Sequence, residues 1–437
     1  MHGMVGEMTR RVHSIEIDSE KCIGCVACSV VCPTEAIRVR SGLARVSHDL
    51  CIDCGGCIAA CRYDAVRARM SSTSDLARFK HTVAIPSMTL YGQFGSNVDP
   101  SQVLDGLIQI GFDSTYDISW MYEMLGRATD AYLSECGGPW PKITASCPAI
   151  VRLVQIRYPD LIPHLVPLES ARELAAKLHR RRLAKELGLA PDEIGFFFIS
   201  PCTAIMNSIV SPVGMDRSYV DGALSISEVY GPLLKAIMSR DGKDLDAPVS
   251  ARGMQWSVAG GQIGEMRNEN TIAISGATDI LRVFDRIESG KFQSVDLIEA
   301  HICPGGCVSG QLRIENRHAA ERSIQRIVRR RDRHDRVKEE RVRSLLHEHF
   351  FDLEEQIAAR PVQALGGDLR TAIAMKRKRQ EVLEGFPGKD CAACGAPTCE
   401  ALARDVVKGE ADPEDCVFVR IDRLEGGAST AGEGEDE

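Results

Sequence analysis

The segment EAHICPGGCVSGQ, residues 299–311, follows a short apolar run and carries a cysteine just beyond it. The overlapping run VDLIEAHI is typical of a buried strand, and Cys303 comes directly after it. Two more cysteines are placed in the same way, Cys147 after PKITAS and Cys202 after IGFFFISP. Helical patterns such as ESARELAAKLHRRRLAKEL lie between these runs, so the sequence predicts an α/β sheet. Because ligands collect at the carboxyl ends of strands in such sheets, we expect these distant cysteines to meet in one pocket.

The amino-terminal cysteines repeat the spacing C-x2-C-x2-C-x3-C twice. In this spacing three thiolates hold one iron–sulfur cube, and the distant fourth cysteine ligates the other cube. One cluster is therefore expected on Cys22, Cys25, Cys28 and Cys61, and a second on Cys51, Cys54, Cys57 and Cys32. Paired zinc sites are the alternative, but such sites usually separate two C-x2-C pairs. Residues 14–70 resemble a bacterial two-cluster ferredoxin, an α+β fold, although Arg62 stands where that family has a proline.

The carboxyl-terminal cysteines form a C-x2-C-x4-C-x16-C set, which also suffices for one cube. The expected ligands are Cys391, Cys394, Cys399 and Cys416. After the third of them, the run EALARDVVKG predicts a short helix that ends at Gly409. Residues 383–422 resemble the small iron–sulfur domain found at the ends of several anaerobic redox proteins. A structural zinc knot remains the alternative.

The composition favours a modular protein that binds neither nucleic acid nor membranes. A chain of 437 residues predicts two to four globular units. The 53 basic and 61 acidic residues give a net charge of -8, which argues against a polyanionic partner. The chain lacks a run of about 18 apolar residues and a signal-like start, so we expect it in the cytoplasm, without membrane insertion. In that reducing compartment, an odd total of 17 cysteines favours metal ligation over disulfides.

Residues 80–315 resemble the large catalytic domain of the [FeFe]-hydrogenases. Three signatures of that family occur in order, namely TASCPAIV, SPCTAIMNS and EAHICPGGCVSGQ. The segments IPSMTLYGQFG and LIQIGFDSTYDIS resemble those that open the family's domain. The resemblance implies that Cys147, Cys202, Cys303 and Cys307 bind the active-site [4Fe-4S] cube. It also implies that Cys307 bridges to a two-iron subsite.

Several residues around that cube depart from the family pattern. Ser146 stands where the family has a proton-relay cysteine, and a hydroxyl is a much weaker acid than a thiol. Ile205 replaces the lysine that binds a cyanide of the diiron unit, and Ser208 replaces a glutamate. Ser200 and His301 occupy two methionine positions, and the glycine run after the last cysteine is incomplete. These changes argue against a working diiron subsite.

Two residues within the third signature are candidates, together with Ser146, for proton movement or cluster tuning. Glu299 matches a family glutamate, but a solvated surface charge is an equal alternative. His301 is placed to donate to the cluster or to act as a pH-sensitive group, or it is a packing residue. Cys136 has no partner at ligand spacing, and we expect it to be a small buried hydrophobe.

Charge and composition describe the remaining segments. Residues 1–13 form an amino-terminal extension. Residues 316–382 are strongly charged and predict a helical connector with a sparse apolar stripe. Its basic run RRRDRHDR is interspersed with acids, which favours a solvated helix face over a nucleic-acid site. Residues 423–437 are poor in apolar side chains and predict a disordered acidic tail.

The sequence thus predicts an anaerobic electron-transfer or redox- and hydrogen-sensing protein with four [4Fe-4S] clusters. Its partner would be a ferredoxin, a flavoprotein or a signalling protein. Two alternatives stay open. An active hydrogenase, forming H2 from two protons and two electrons, would use Ser146 in its proton path and hold a diiron unit through Cys307. An iron–sulfur assembly scaffold is the other, although a complete ferredoxin-like head argues for electron transfer.

Overall fold

The structure is a computed structural model that describes residues 13–239, 249–331, 337–360 and 369–430. The chain forms two compact units. Among the described residues, the first contains 13–14, 52–55, 68–239, 249–331 and 337–359, and the second contains 15–51, 56–67, 360 and 369–430. Of the predicted extension, only His13 lies within the described residues, and most of the basic run lies outside them.

A four-stranded parallel sheet forms the larger core of the first unit. Its strands, in spatial order, are Ser114–Thr115, His81–Pro86, Ile194–Ser200 and Gly222–Ser225. Every residue of Ile194–Ser200 is buried, and its three phenylalanines are at most 1% exposed. A strand covered on both faces needs apolar residues throughout, which explains its continuous apolar sequence.

A three-stranded parallel sheet forms a second core in the same unit. Its order is Thr271–Ser275, Leu297–His301 and Lys142–Ile143. The strands that precede Cys303 and Cys147 are therefore neighbours in this sheet, whereas the strand before Cys202 belongs to the larger one. The predicted α/β fold of the central region is confirmed.

The helices of the first unit begin and end with recognisable signals. Helix Pro100–Gln109 begins after Asp99, whose carboxylate accepts the Ser101 N–H at 2.9 Å. Helix Ala171–Leu187 ends at Gly188, where φ is +67°. Further helices in the described part of this unit are Met88–Tyr91, Ser119–Glu135, Pro148–Arg157, Thr203–Val210, Ile226–Met238, Ala251–Met254, Ala277–Glu288, Arg317–Arg329 and Glu339–His347.

The second unit combines small two-stranded sheets with short helices, in agreement with the α+β head predicted for the amino-terminal region. Strand Ile37–Arg40 pairs antiparallel with Leu43–Val46, and Ile15–Ile17 pairs with Val66–Ala68. Its helices are Ala27–Val30, Gly56–Ala60, Leu369–Glu384, Cys399–Lys408 and Val417–Thr430. The helix predicted after the third carboxyl-terminal cysteine is present and ends at Gly409, where φ is +75°.

The charged region 316–382 is divided between the two units. Helix Arg317–Arg329 lies in the first unit, where Ile324 is fully buried and Ile327 is 4% exposed. Helix Leu369–Glu384 lies in the second unit. Of the sparse apolar stripe read from the sequence, Ile324 and Ile327 lie on the buried face of helix Arg317–Arg329, whereas Leu345, 7% exposed, lies in helix Glu339–His347.

The end of the chain is more helical than its composition predicts. Helix Val417–Thr430 runs into the tail that was expected to be disordered from residue 423, and residues 431–437 lie outside the described residues. Arginine, leucine and glutamate at 423–425 are good helix formers, so they continue the preceding turns. Neither this helix nor any other in the described ranges is long and apolar enough to cross a membrane.

Candidate functional site

Three of the predicted central ligands lie on turns at the carboxyl ends of strands. Cys147 and Cys202 each occupy the residue immediately before a helix, Pro148–Arg157 and Thr203–Val210 respectively. Cys303 lies two residues beyond the end of its strand, before a pair of glycines. The apolar runs in the sequence therefore located these cysteines correctly at strand ends.

The structure places the four predicted central ligands close enough to affect one another's charge, with Cys303 buried and the other three half-buried. Burial raises the pKa of Cys307 well above its usual range, and the thiols of Cys147, Cys202 and Cys303 raise it further. Burial raises the pKa of Cys202 to about 11, with Cys147 as the next cause. Cys303 shows the same pattern, with burial first and then Cys202 and Cys147. Such mutual effects arise between neighbouring groups.

Backbone amides point at two of these sulfurs. Burial raises the pKa of Cys147. Hydrogen bonds from the N–H groups of Ile302 and of the first turn of helix Pro148–Arg157 lower it, but by less than burial raises it. Hydrogen bonds from the N–H groups at the start of helix Thr203–Val210 likewise lower the pKa of Cys202. Amide donors favour the thiolate, which is the form that ligates a metal.

This set of donors fits an iron–sulfur cube. A [4Fe-4S] cluster takes four thiolates, and four cysteine sulfurs meet in the pocket. Buried thiolates disfavour one another, as the raised pKa values of Cys303 and Cys307 indicate. Iron bound at this position would supply the positive charge that offsets both desolvation and mutual repulsion.

Gln311 connects Cys303 to the segment 52–55. Its Nε2 donates to Cys303 Sγ at 3.4 Å. The side chain of Gln311 also packs directly against Gly55, since a Cβ added at Gly55, where φ is +72°, would lie only 2.7 Å from Gln311 Oε1. In the same segment, Cys54 packs against the core that contains Cys303. The sequence did not indicate this contact, since residue 311 was visible only as a departure from a glycine run.

Ser146 donates its hydroxyl hydrogen to a buried amide. The Oγ of Ser146 lies 3.1 Å from Oε1 of Gln262, which is 4% exposed. Gln262 lies 116 residues away in a loop, and no motif in the sequence singled it out. Because an amide oxygen does not accept and release protons near neutral pH, this hydrogen bond offers no onward proton relay.

Glu299 and His301 form a buried pair. His301 Nε2 lies 2.7 Å from Glu299 Oε1, and the carboxylate also accepts the N–H groups of Gly260 and Ile263 at 3.0 and 3.1 Å. Glu299 has 0% exposure, so it is not the solvated charge considered from the sequence. It holds the 260–263 loop against its strand. Nδ1 of His301 has no hydrogen-bond partner among the residues that the structure describes.

Arg172 brings a positive charge that the signatures did not reveal. Its Nη2 donates to Ser208 Oγ at 2.9 Å. Its charge lowers the pKa of both Cys147 and Cys202, against the larger effect of burial. Ile205, which stands in the family's lysine position, is buried in the larger hydrophobic core. A cation therefore lies near these thiols although the lysine is missing, and it comes from a helix outside the three signatures.

Cys136 packs at the edge of the larger core. It is half-buried there, and its Sγ donates to the carbonyl of Leu133 at 3.8 Å. This contact with its own helix is what a small hydrophobic residue with a weak donor would make.

The cysteines predicted for the first ferredoxin-type cluster surround a cavity of about 20 Å³ in the second unit. The cavity is lined by Cys22, Cys25, Cys28 and Cys61, and also by Val39. Burial raises the pKa of Cys28 to about 11, and the thiols of Cys22 and Cys25 add to this effect. The structure thus brings this predicted ligand set together.

The second ferredoxin-type set is distributed over both units. Cys32, Cys51 and Cys57 lie in the second unit, and Cys54 lies in the first. The Sγ of Cys32 accepts the N–H of Ala36 at 3.2 Å. That these four cysteines share one cluster stays a prediction.

Three of the carboxyl-terminal cysteines share a small core in the second unit. Cys416 is 6% exposed in this core, and Cys394 and Cys399 pack against it. Burial raises the pKa of Cys394, and the thiol of Cys416 contributes. Cys391 is exposed. The ligand role of the four stays a prediction.

Known protein families match three parts of the chain. The model of the iron only hydrogenase large subunit, C-terminal domain, matches residues 80–239 and 233–311, which is just over half of the chain. The chain belongs to this family. A 4Fe-4S dicluster domain matches residues 14–62, and a model of iron–sulfur cluster domains matches residues 386–418. The hydrogenase-like centre with iron–sulfur domains at both ends is therefore confirmed.

Similar proteins include hydrogenases and an assembly factor. Iron hydrogenase 1 of Clostridium pasteurianum is 24% identical over 267 residues, which are 50% of this chain and 46% of that protein. The periplasmic [Fe] hydrogenase large subunit of Nitratidesulfovibrio vulgaris is 25% identical over 366 residues, 69% of this chain and 86% of that protein. The cytosolic Fe-S cluster assembly factor NAR1 of Sclerotinia sclerotiorum is 32% identical over 72 residues, 16% of this chain and 13% of that protein.

Solved [FeFe]-hydrogenase structures are also similar to this chain. A variant of HydA1 from Chlamydomonas reinhardtii matches with a TM-score of 0.49 at 15% identity. The match covers 67% of this chain and 97% of that one.

Proposed function

We propose that this protein transfers electrons or senses redox state or hydrogen, without the fast hydrogen turnover of a hydrogenase. The observation that carries the proposal is a four-thiol pocket whose surroundings are altered. The cysteines are all retained, while Ile205 occupies the lysine position and Ser146 bonds to the amide of Gln262. Such a pocket keeps the groups that hold a cube and lacks the proton-relay cysteine and the lysine that the family uses with a diiron unit.

The residues of the pocket are suited to a one-electron centre. A [4Fe-4S] cube bound there would supply one-electron oxidation and reduction. Arg172 and the amides at the helix starts favour the negative charge of the thiolates. Gln311 donates to Cys303, and hydrogen bonds to cluster sulfurs tune the reduction potential. None of these contacts requires a proton to leave the pocket.

The proposed cofactors are four [4Fe-4S] clusters, two in the ferredoxin-type domain, one in the central pocket and one on the carboxyl-terminal cysteines. We infer that a ferredoxin, a flavoprotein or a signalling protein exchanges electrons with them. A net charge of -8 suits a protein partner with a basic docking face.

Anaerobic iron and sulfide counting tests the cluster assignment. Fully loaded protein should contain about sixteen irons per chain if four cubes are present. Cys303→Ala should lose about four irons, because it removes a ligand from the central pocket. Cys136→Ala is the matched control, since it removes a cysteine that is not a predicted ligand. Equal iron contents of the two variants would contradict the central cluster.

Infrared spectroscopy separates the proposal from the hydrogenase alternative. Protein produced together with hydrogenase maturation enzymes should lack bands of metal-bound CO and CN-. If such bands appear in fully loaded protein, a diiron unit is inserted and active hydrogenase becomes the better assignment.

Assembly of iron–sulfur clusters is a second candidate because of the similarity to NAR1. A scaffold gives its clusters to acceptor proteins, whereas an electron carrier keeps them. Incubation of loaded protein with an apo-ferredoxin distinguishes the two, since only a scaffold would lose iron to the acceptor.

A further inference from the structure

The carboxyl-terminal cysteine domain bonds directly to a strand of the ferredoxin-type domain. Both lie in the second unit. The N–H of Val39, in strand Ile37–Arg40, donates to the carbonyl of Gly395 at 2.8 Å. The guanidinium of Arg40 donates from Nη1 to the carbonyl of Cys394 at 2.5 Å. The loop that carries a predicted cluster ligand is thus hydrogen-bonded to the edge of the strand.

Gly395 allows this approach because it has no side chain. A Cβ added there would lie 1.8 Å from the carbonyl oxygen of Val39. The residue also has φ of +81°, which side-chain-bearing residues rarely adopt. Both the contact and the backbone conformation therefore require glycine at this position.

Ion pairs surround the contact. Asp405, 4% exposed, accepts from Arg38 Nε at 2.6 Å and Nη2 at 3.0 Å, and from Arg40 Nη2 at 3.0 Å. Glu35 pairs with Arg404 and also accepts the hydroxyl of Thr398 at 3.0 Å. A buried carboxylate such as Asp405 tolerates few alternative arrangements, because it must keep its cationic partners. The docked arrangement is therefore specific, unlike the loose association expected of a flexibly tethered domain.

Val39 contributes to both sides of this contact. Its side chain lines the cavity formed by Cys22, Cys25, Cys28 and Cys61, and its N–H binds Gly395, the neighbour of Cys394. A single strand therefore lies between the first ferredoxin-type ligand set and the carboxyl-terminal one.

From this placement we propose that the carboxyl-terminal cluster docks on strand Ile37–Arg40 as the fixed electron-transfer partner of the first ferredoxin-type cluster. The inference rests on the proposed function, because both cysteine sets must hold [4Fe-4S] cubes. With cubes bound on both cysteine sets, the step would be the transfer of one electron, which oxidises the donor cube and reduces the acceptor cube. No bond forms or breaks and no proton moves. Asp405 and Glu35 act as positioning residues.

Two variants test the docking in the full-length, cluster-loaded protein. Asp405→Asn removes the charge that binds Arg38 and Arg40, and Glu35→Gln is a milder change in the second ion pair. Asp422→Asn is the matched control, since Asp422 lies on an exposed face of the same domain. Hydrogen–deuterium exchange of the peptide that contains Val39 should be about tenfold faster or more in the first variant and unchanged in the control.

Electron paramagnetic resonance of the reduced protein provides a second readout. The wild type should show magnetic interaction between neighbouring reduced clusters, and Asp405→Asn should lose part of that interaction while its iron content stays the same. Unchanged exchange and unchanged spectra in both variants, with all clusters present, would overturn the docking proposal alone. Absence of a cluster on the carboxyl-terminal cysteines of the wild type would overturn the cluster count of the proposed function as well.

Discussion

Glu169 makes the stability of the protein depend on pH near neutrality. Its Oε1 accepts the N–H of Ser170 at 2.6 Å, and its Oε2 is buried without a partner among the described residues. Burial raises its pKa from 4.5 to about 7, and the neighbouring carboxylate of Glu173 adds to the increase. The folded protein therefore holds a proton on this residue over a pH range in which the unfolded chain has released it.

The sign of the effect follows from the direction of the shift. Between about pH 4.5 and pH 7 the folded state binds more protons than the unfolded state, so the free energy of unfolding falls as pH rises. A shift of this size corresponds to about 3 kcal/mol of unfolding free energy. This contribution is fully present below about pH 4.5 and is lost above about pH 7. Glu169→Gln resembles the protonated form. It should be about 3 kcal/mol more stable than the wild type at pH 8 and only about 1 kcal/mol more stable at pH 5.

Anaerobic urea denaturation of the loaded protein, followed by circular dichroism at several pH values, measures this difference. Glu355→Gln, which changes an exposed carboxylate in the same unit, is the control for the loss of a negative charge. If Glu169→Gln changes stability by the same amount at pH 5 and pH 8, then Glu169 is not protonated in the folded protein and the reasoning is wrong.

Two further predictions concern the surroundings of the central pocket. Arg172→Met should destabilise the protein by about 3–5 kcal/mol, because it leaves Glu173 buried without its cation and Ser208 without its donor. The double variant Arg172→Met/Glu173→Gln should recover most of that loss in the same denaturation assay; no recovery would show that the charge pair is not the cause. Gln311→Ala should lower the reduction potential of the central cluster by about 40 mV, from loss of a hydrogen bond worth about 1 kcal/mol to Cys303. A redox titration that gives an unchanged potential would contradict this role.

The sequence predicts well wherever the physical constraint is local. Iron–sulfur ligation needs thiolates at short fixed spacings, so the spacing alone assigns Cys22, Cys25 and Cys28 to one cluster, and they line one cavity in the structure. The sequence also predicts the burial of strand Ile194–Ser200, because a run of consecutive apolar residues is typical of a strand covered on both faces. The disordered tail was predicted less well, because low apolar content does not prevent good helix formers from extending an existing helix.

Residues that act across the fold were harder to find. Arg172 approaches the thiols of Cys147 and Cys202 from a helix that carries no signature, and the sequence gives no measure of that distance. Gln262 faces Ser146 across 116 residues for the same reason. Glu299 was ambiguous in the sequence, and only burial and three hydrogen bonds assign it to the interior.

By itself, the sequence determined the iron–sulfur character of this protein, its membership of the hydrogenase family and the strand ends that carry the central cysteines. Motif spacing and apolar runs are written along the chain, and neighbouring residues suffice to recognise them. Only the tertiary structure decided that the carboxyl-terminal domain bonds to strand Ile37–Arg40 and that Arg172 supplies charge near the pocket. These contacts join residues that are far apart in sequence, and their geometry exists only once the chain has folded.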